Sequence, residues 1–280
     1  TEDDAVREAK KFSEIMEPVE DTQSHITSEQ AIAQLKTSTY AFLTGVAGSG
    51  KSYTLMQGIA SGEITPCIAA TTGIAAVNLG TQTINSWLKY FDTFSLKQNR
   101  YDGKLKRYIK SLASQYDSLV IDEVSMMDKD QLQVIYDEIA ELNFERVAMG
   151  EPEFRLLLTG DMAQLPPVPN KDRDGKSLPL PWVFQADCWP KFEANTVRLT
   201  KVWRQSNPML LDALNAIRSG NGALGADLLL KAGVEFTPRI DPTFPGTTLI
   251  AKNLEVNKYN QLGLMRVAGE TRLATTRSWF

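Results

Sequence analysis

GVAGSGKS, at residues 45–52, follows the short apolar run YAFLT (residues 40–44) and precedes a helix-compatible segment from Tyr53 to Ala60. The octapeptide fits G-x-x-x-x-G-K-[ST], the Walker A pattern of a phosphate-binding loop between a strand and a helix. Glycine lets backbone N–H groups turn toward phosphate oxygens without a clash from Cβ, and the helix N-terminus adds a favourable dipole. The stretch therefore predicts a nucleotide-binding loop. A glycine-rich turn with an exposed lysine is the alternative.

Two side chains of this loop have specific expected roles. We expect Lys51 to reach the β- and γ-phosphates of ATP, and the hydroxyl of Ser52 to hold Mg²⁺. The residues expected to line the nucleotide are Gly45, Val46, Ala47, Gly48, Ser49, Gly50, Lys51, Ser52 and Tyr53. The pattern by itself predicts an NTPase and does not say what work the hydrolysis drives.

Further short apolar runs are separated by helix-like segments, and each run ends in polar or glycine-rich residues. They are IAA at 68–70, LVI at 119–121 and LLL at 156–158. This alternation predicts an α/β fold with a parallel sheet covered by helices on both faces. Chemistry in such sheets collects at the carboxyl ends of the strands, which is where these polar segments fall.

Two acids end one of these runs. Asp122 and Glu123 follow LVI at 119–121, which is the Walker B arrangement. We expect Asp122 to complete the Mg²⁺ shell opposite Ser52, and Glu123 to take a proton from the attacking water. Two carboxylates at a strand end are costly unless a cation holds them. Two solvated acids at the start of a loop are the alternative.

The segment TGDMAQ at residues 159–164 repeats the plan of a strand followed by polar residues. Gln164 could hydrogen-bond the γ-phosphate and report its hydrolysis, and Asp161 could orient water or the metal shell. A glutamine after a strand can also be an ordinary loop residue.

Bulk composition excludes several classes of protein. The 280 residues carry a net charge of −4, with 42% apolar and 23% charged residues, as in ordinary globular proteins. Two distant cysteines and a single histidine, His25, make a zinc site or a Ser-His-Asp hydrolase a poor hypothesis. There is no run long enough to span a membrane, and the acidic N-terminus is unlike a secretory signal. We therefore expect no membrane partner and an intracellular location, cytoplasmic in a bacterium or phage.

Residues 87–114 are locally basic and rich in aromatic side chains. The cations are Lys89, Lys97, Arg100, Lys104, Lys106, Arg107 and Lys110, and the rings are Trp87, Tyr90, Phe91, Phe94, Tyr101 and Tyr108. Such a mixture favours single-strand binding, through phosphate contacts and stacking of bases on rings. The alternative is a solvated helix face over a small aromatic core, and we expect most of the rings to be packing residues.

Several of these segments occur in the order found in superfamily 1 helicases of subgroup B. The matching strings are GVAGSGKS (45–52), AATTGIAAVNLG (69–80), TINSW (83–87), IDEVSMMD (121–128), GDMAQLPPV (160–168) and LTKVWRQ (199–205). Over residues 28–260 the chain resembles the RecD-like enzymes and their petite-integration-frequency relatives. The resemblance implies a RecA-like P-loop ATPase that couples hydrolysis of Mg²⁺-ATP to 5′-to-3′ movement on single-stranded DNA or DNA junctions. It also implies work in replication, repair or recombination, with other proteins of those processes as candidate partners.

The resemblance implies roles for individual residues as well. Gln30 matches an adenine-reading glutamine, and Arg204 matches an arginine that reaches the γ-phosphate across the cleft. The expected catalytic set is Lys51, Glu123, Gln164 and Arg204. DNA contacts are implied for Thr71, Thr72, Asn85, Trp87, Pro166 and Pro167, although the family often has histidine where Asn85 stands. We expect Trp203, next to Arg204, to be a core packing residue.

Helical spacing in residues 2–17 and the resemblance over the rest together predict three parts of the chain. Residues 1–25 form an N-terminal helix and linker, residues 26–204 a first RecA-like domain with a small insertion at about 88–114, and residues 205–280 part of a second RecA-like domain. Residues 207–219 are expected to form the opening helix of that second domain, and residues 247–264 an early strand. The family's later motifs have no counterpart before Phe280, and the chain does not begin with methionine. We therefore expect a fragment or a natural short form.

Three functions fit these patterns. The leading hypothesis is an ATP-dependent DNA helicase or translocase. The second is an ATP-gated DNA-binding or assembly module without unwinding activity, which predicts nucleotide-dependent binding with negligible turnover. The third is a P-loop kinase acting on a small molecule. It needs an acceptor site that we do not find in the sequence, and GDMAQLPPV at residues 160–168 argues against it.

Overall fold

The fold is built on a six-stranded parallel sheet. Its strands are β1 (Tyr40–Gly45), β2 (Pro66–Ala70), β3 (Gln82–Thr83), β4 (Ser118–Asp122), β5 (Arg155–Gly160) and β6 (Thr196–Leu199), in the order β3-β2-β4-β5-β1-β6. The four apolar runs that predicted strands are confirmed as β1, β2, β4 and β5, the interior of the sheet. The sequence did not predict β3 and β6, because edge strands this short leave no long apolar run.

The computed structural model describes residues 26–169, 174, 176–205, 207–237, 244, 246–250 and 253–265. The N-terminal helix and linker expected at residues 1–25 lie outside these residues. The chain divides into two units, Thr1–Ala232 and Gly233–Phe280. The sheet and all of the site residues predicted from the sequence belong to the first unit.

Helices flank the sheet, as the α/β prediction requires. In the first unit they are α1 (Ser28–Thr37), α2 (Lys51–Ala60), α3 (Gly73–Asn78), α4 (Ile84–Leu88), α5 (Thr93–Tyr101), α6 (Lys104–Ala113), α7 (Lys129–Ala148), α8 (Trp189–Glu193), α9 (Pro208–Arg218) and α10 (Gly222–Lys231). Short 3-10 turns lie at Val124–Met126 and Val183–Gln185. Side-chain oxygens of Thr27, Asp92 and Asp128 cap the first turns of α1, α5 and α7. None of the helices in the described part of the chain is long and apolar enough to cross a membrane.

Two apolar layers cover the sheet, because successive residues of a strand point to opposite faces. On one face, Phe42 packs against Trp189 with ring centroids 5.2 Å apart. On the other face, Leu43 packs with Leu35 of α1 and Leu55 of α2. Each such fully buried side chain contributes about 1.5–3 kcal/mol. This packing holds the loop between β1 and α2 at the carboxyl edge of the sheet.

The basic segment folds as α5 and α6, which lie beside α7. Four of its cations pair with carboxylates of α7: Lys97 with Asp130, Arg100 with Asp137, Glu138 and Glu141, and both Lys106 and Lys110 with Glu145. For these four cations the structure favours the alternative interpretation, a solvated helix face, because their charges are paired within the domain. Tyr90 is buried and Trp87 and Tyr108 pack against the core, whereas Phe91, Phe94 and Tyr101 are exposed. The expectation that most rings pack is therefore met by only half of them.

The chain after residue 204 differs in part from expectation. Residues 207–219 contain α9, as predicted, and α9 packs closely on α10 since a Cβ on Gly225 would lie 2.4 Å from Cγ1 of Ile217. Both helices belong to the unit Thr1–Ala232, so the division of the chain falls after Ala232 and not after residue 204. A partial second RecA-like domain over residues 205–280 stays a prediction.

In the second unit, α11 (Asn253–Leu264) occupies most of the stretch where an early strand was expected. The predicted strand is wrong. The β-branched and apolar residues that suggested it lie at 247–250, before the helix, and the residues that follow include the helix formers Leu254, Glu255 and Lys258.

Candidate nucleotide site and adjoining groove

The loop between β1 and α2 has the shape of a phosphate cradle. Gly48 and Gly50 have φ values of 81° and 92°, in the left-handed region that disfavours side chains, so glycine is required at both turns. The ammonium of Lys51 turns back over the loop and donates to the carbonyl oxygens of Gly45 at 2.9 Å and Val46 at 3.4 Å. Ser52 and Tyr53 are exposed in the first turn of α2, where the helix N-terminus is open.

Burial and neighbouring charges act on Lys51 in opposite directions. Burial lowers the pKa of its ammonium below the ordinary value, while the carboxylates of Asp161, Glu123 and Asp122 oppose that change. The three carboxylates keep Lys51 protonated, and its hydrogen-bond acceptors in the described residues are carbonyl oxygens, so its ammonium can donate to a phosphate in their place.

Asp122 and Glu123 lie at the carboxyl end of β4, beside Lys51. Burial raises the pKa of both carboxyl groups; Lys51 lowers both, and Asp122 raises that of Glu123 further. Glu123 has a φ of 55°, an uncommon conformation for a side chain other than glycine. Such a conformation persists where neighbouring residues stabilise it. Here the hydroxyl of Thr71 does so, because it donates to the backbone carbonyl of Glu123 at 2.7 Å.

Asp161, at the end of β5, is held by an arginine that the sequence did not reveal. The guanidinium of Arg218, near the end of α9, makes two contacts with this carboxylate, Nη1 to Oδ2 at 2.8 Å and Nη2 to Oδ1 at 2.7 Å. Because both carboxylate oxygens are engaged, Asp161 is a poor candidate for the metal shell. Gln164 lies in the next turn, and its backbone N–H donates to the carbonyl of Asp161 at 2.9 Å. No pattern in residues 207–219 distinguishes Arg218 from any other cation at a helix end.

The segment that carries Arg204 lies directly on the phosphate loop. The backbone N–H of Trp203 donates to the carbonyl of Gly48 at 2.9 Å, and a Cβ on Gly48 would lie 2.7 Å from Cβ of Arg204. Trp203 is 69% exposed, and the ammonium of Lys201 lies 3.8 Å from the centre of its ring. The expected core packing of Trp203 is therefore wrong, because it lies beside the glycine-rich loop, which offers few side chains to bury it.

Gln30 serves a local structural role in the described conformation. Its side-chain oxygen accepts the backbone N–H of Thr27 at 2.9 Å, and the hydroxyl of Thr27 accepts the N–H of Gln30, which is a capping box. The hydroxyls of Ser28 and Thr54 lie 3.1 Å apart and join α1 to the first turn of α2. Gln30 is thus near the nucleotide helix, and its role as an adenine contact stays a prediction.

A groove of about 500 Å³ is lined by Thr71, whose hydroxyl contacts the backbone carbonyl of Glu123. Three of the residues implied in DNA contact line it, Thr71, Asn85 and Pro167, together with the exposed rings of Phe91 and Phe94. An open groove with exposed rings can accommodate an unpaired strand by stacking.

The other three implied DNA residues are less directly placed. Thr72 caps α3 through its side-chain oxygen, and the indole N–H of Trp87 donates to the carbonyl of Ile68 at 3.2 Å. Pro166 is only partly exposed, next to the groove residue Pro167. The structure therefore brings half of the set to the groove and gives Thr72 and Trp87 structural partners.

The residues present fit a bound Mg²⁺-nucleotide. The hydroxyl of Ser49, 3% exposed, has no hydrogen-bond partner among the residues that the structure describes, so the cradle contains a buried donor in need of an acceptor. In the described part of the chain there is no cluster of three His, Cys, Asp or Glu side chains able to hold a metal. A magnesium ion at this site would depend on Asp122, Ser52, water and the phosphates themselves, which is the usual way such sites bind it.

Comparisons with known proteins agree with this architecture. The family model described as PIF1-like helicase matches residues 19–218. The ATP-dependent DNA helicase RRM3 of Saccharomyces cerevisiae is 32% identical over 258 residues, covering 84% of this chain and 33% of that protein. The Pif1 helicase of Candida albicans has the same fold, with a TM-score of 0.65 at 24% identity over 89% of this chain and 56% of that one.

A third similar protein is Bacteroides Pif1, whose crystal structure is bound to ssDNA. Its TM-score is 0.52 at 25% identity, over 74% of this chain and 50% of that one. The chain thus spans between a third and somewhat over half of these proteins. The family model matches well over half of this chain, and the resemblance found in the sequence is confirmed. The chain belongs to the PIF1-like helicase family.

Proposed function

We propose that this chain is the ATP-hydrolysing part of a DNA helicase or translocase, which couples hydrolysis of Mg²⁺-ATP to binding and 5′-to-3′ movement of single-stranded DNA. The observation that carries the proposal is the position of Thr71. Its hydroxyl holds the carbonyl of Glu123 at 2.7 Å, and the same residue lines the groove beside the site. One residue therefore contacts both the expected base of hydrolysis and the expected path of the strand.

The residues of the chain divide the chemistry among them. Lys51 and the backbone N–H groups of the loop bind the phosphates, and Ser52 and Asp122 would hold Mg²⁺, which neutralises phosphate charge when bound. The carboxyl group of Glu123 has a raised pKa, because it is buried beside Asp122, and this makes it a better proton acceptor than an ordinary glutamate. Gln164, on the turn after β5, is the proposed γ-phosphate sensor.

Arg204 completes the proposed catalytic set. Its segment is joined to the loop by the bond from Trp203 N–H to the Gly48 carbonyl. A cation there can stabilise negative charge that develops on the γ-phosphate during hydrolysis. A DNA substrate would also place the protein inside the cell, and an intracellular location is part of this proposal.

The test is ATP hydrolysis by this chain, with and without single-stranded DNA, beside the Lys51→Ala variant. We expect hydrolysis that DNA stimulates and that Lys51→Ala abolishes. A rate that DNA leaves unchanged would contradict the coupling, and an active Lys51→Ala variant would contradict the site. Nucleotide-dependent DNA binding without turnover would instead favour the ATP-gated binding module.

A further inference from the structure

The ion pair between Asp161 and Arg218 is a buried structure at the edge of the nucleotide site. The side chains are 2% and 12% exposed, and two contacts of 2.7 and 2.8 Å join them in the parallel geometry that a guanidinium and a carboxylate favour. The same carboxylate accepts the backbone N–H of Ala163 at 3.1 Å. Charges buried to this degree require a partner, and each is the other's partner here.

Asp161 also lies close to the phosphate loop. The strands β1 and β5 are neighbours with Thr44 opposite Gly160, and the hydroxyl of Thr44 donates to the Gly160 carbonyl at 3.0 Å. The next residues along the two strands are Gly45, whose carbonyl accepts the Lys51 ammonium at 2.9 Å, and Asp161. Three carboxylates raise the pKa of the Lys51 ammonium, and that of Asp161 raises it most.

The charges around Lys51 explain how Arg218 can affect nucleotide binding. Lys51 has three carboxylate neighbours, Asp161, Glu123 and Asp122, and Arg218 is the second cation. Without Arg218 the carboxylate of Asp161 would be buried without its guanidinium partner, and the ammonium of Lys51, whose pKa that carboxylate raises, could pair with it. An ammonium paired with Asp161 is less available to phosphate, and the site would carry one more uncompensated negative charge.

We propose that Arg218 is a positioning residue for nucleotide binding, which holds Asp161 through two hydrogen bonds and so leaves the ammonium of Lys51 available to the phosphates. The inference rests on the proposed nucleotide function of the loop. It assigns Asp161 a structural role in place of the metal or water contact considered from the sequence. It also connects α9 to the turn that carries Gln164, since both meet at Asp161.

The experiment measures the Kd of a fluorescent ADP analogue with Mg²⁺ for the wild-type chain and for Arg218→Met, Arg218→Lys, Asp161→Asn and the double variant Asp161→Asn/Arg218→Met. We expect Arg218→Met to weaken binding about tenfold, a change of about 1.4 kcal/mol. Arg218→Lys should recover only part of the loss, because an ammonium cannot make the two-pronged contact. The double variant should bind about as tightly as Asp161→Asn, since asparagine has no charge with which to hold Lys51.

The Asp161→Asn background keeps the test decisive if Arg218→Met alone does not fold, which thermal unfolding would reveal. If adding Arg218→Met to Asp161→Asn still weakens binding about tenfold, then Arg218 acts on the nucleotide directly and the inference is wrong. Equal affinities of the wild-type chain and a folded Arg218→Met variant would also overturn it.

A readout without nucleotide separates this inference from the proposed function. Acylation of Lys51 by an amine reagent, followed by mass spectrometry, should be slower in Arg218→Met than in the wild-type chain and should recover in the double variant. If the wild-type chain binds no nucleotide but the acylation pattern holds, the proposed function fails while the linkage among Arg218, Asp161 and Lys51 stands. If the rate of Lys51 acylation is equal in all variants, the linkage is wrong, whatever the nucleotide affinities are.

Discussion

The hydroxyl of Thr71 donates a hydrogen bond of 2.7 Å to the backbone carbonyl of Glu123, and its backbone N–H donates to the carbonyl of Asp122 at 3.1 Å. The loop after β2 is therefore attached to both Walker B residues. Because Thr71 also lines the groove, a strand that displaces this loop would move the backbone of the expected base.

Replacing Thr71 with valine should lower the rate of hydrolysis and leave the protein folded. The lost hydrogen bond is worth about 1 kcal/mol, so we expect roughly a fivefold fall in kcat with a small change in KM. Steady-state ATPase assays would measure it. Thr81→Val is the matched control, since Thr81 also donates from its hydroxyl to a backbone carbonyl, that of Ile68, away from the carboxylates. Equal effects of the two substitutions would contradict a specific role for Thr71.

Glu123→Gln should separate binding from hydrolysis. The amide keeps the shape of the side chain but cannot take a proton, so we expect turnover to fall about 100-fold or more while nucleotide affinity remains near that of the wild-type chain. Equilibrium titration with a fluorescent nucleotide, beside single-turnover hydrolysis, measures both quantities. Normal turnover by Glu123→Gln would show that another group is the base.

Gly48→Ala should disturb both the loop and the segment over it. The added Cβ would lie 2.7 Å from Cβ of Arg204, at a residue with a φ of 81°. Gly62→Ala is the control, because Gly62 has a φ of 70° and no atom of the described part of the chain lies within 4 Å of an added Cβ. We expect Gly48→Ala to cost about 1–3 kcal/mol more stability than Gly62→Ala, from the crowding alone. Urea unfolding compares them, and equal losses would mean that the contact with Arg204 is not maintained in solution.

Arg100→Ala should destabilise the inserted helices without a specific loss of DNA affinity. Arg100 contacts three carboxylates of α7, one of which, Glu138, is only 4% exposed. Charge-assisted hydrogen bonds of this kind contribute about 1.5–3 kcal/mol, which urea unfolding can resolve. The exposed Arg107 on α6 is the control for both measurements. A larger loss of single-strand affinity for Arg100→Ala than for Arg107→Ala, at conditions where both are folded, would restore the DNA interpretation of this segment.

Acid should selectively remove the contribution of Glu145. Hydrogen bonds from Lys106 and Lys110 lower the pKa of this carboxyl group from 4.5 to about 2. Because the folded pKa lies below the unfolded one, the ion pairs stabilise the protein above pH 4.5, and that contribution disappears as the pH falls through the folded pKa. We expect the difference in unfolding free energy between the wild-type chain and Glu145→Gln to shrink as the pH is lowered from 6 toward 3. A difference that stays constant over this range would contradict the contribution of these ion pairs.

The parts of the site that the sequence predicted share one property: they are local. GVAGSGKS at 45–52 and the acids after β4 are contiguous patterns, in which the phosphate-binding turn and the strand end are built by neighbours in the chain. Their predictions required only the rule that parallel strands present their carboxyl ends at one edge. The expected roles of these residues in hydrolysis remain to be measured.

The misplaced expectations depended on contacts between distant segments. For residues 87–114 the sequence left DNA binding and a solvated helix face as alternatives, and the structure pairs Lys97, Arg100, Lys106 and Lys110 with carboxylates of α7. Trp203 was expected in the core, but its backbone lies on the phosphate loop. The helix at 253–264 replaced an expected strand because local helix formers there outweighed the short apolar run before them.

The sequence by itself determined the nucleotide loop, the acidic strand end, the parallel α/β architecture and the family. Each depends on short-range patterns of residue type, which can be interpreted because strands, helices and phosphate-binding turns each require particular residues at fixed spacings. Only the tertiary structure decided that Arg218 neutralises Asp161, 57 residues away, and that Thr71 holds Glu123, 52 residues away. Such pairs follow from which strands and helices become neighbours in space. Sequence periodicity does not predict these pairs, because a single arginine or threonine at the end of a helix or strand has the same local pattern with or without a distant partner.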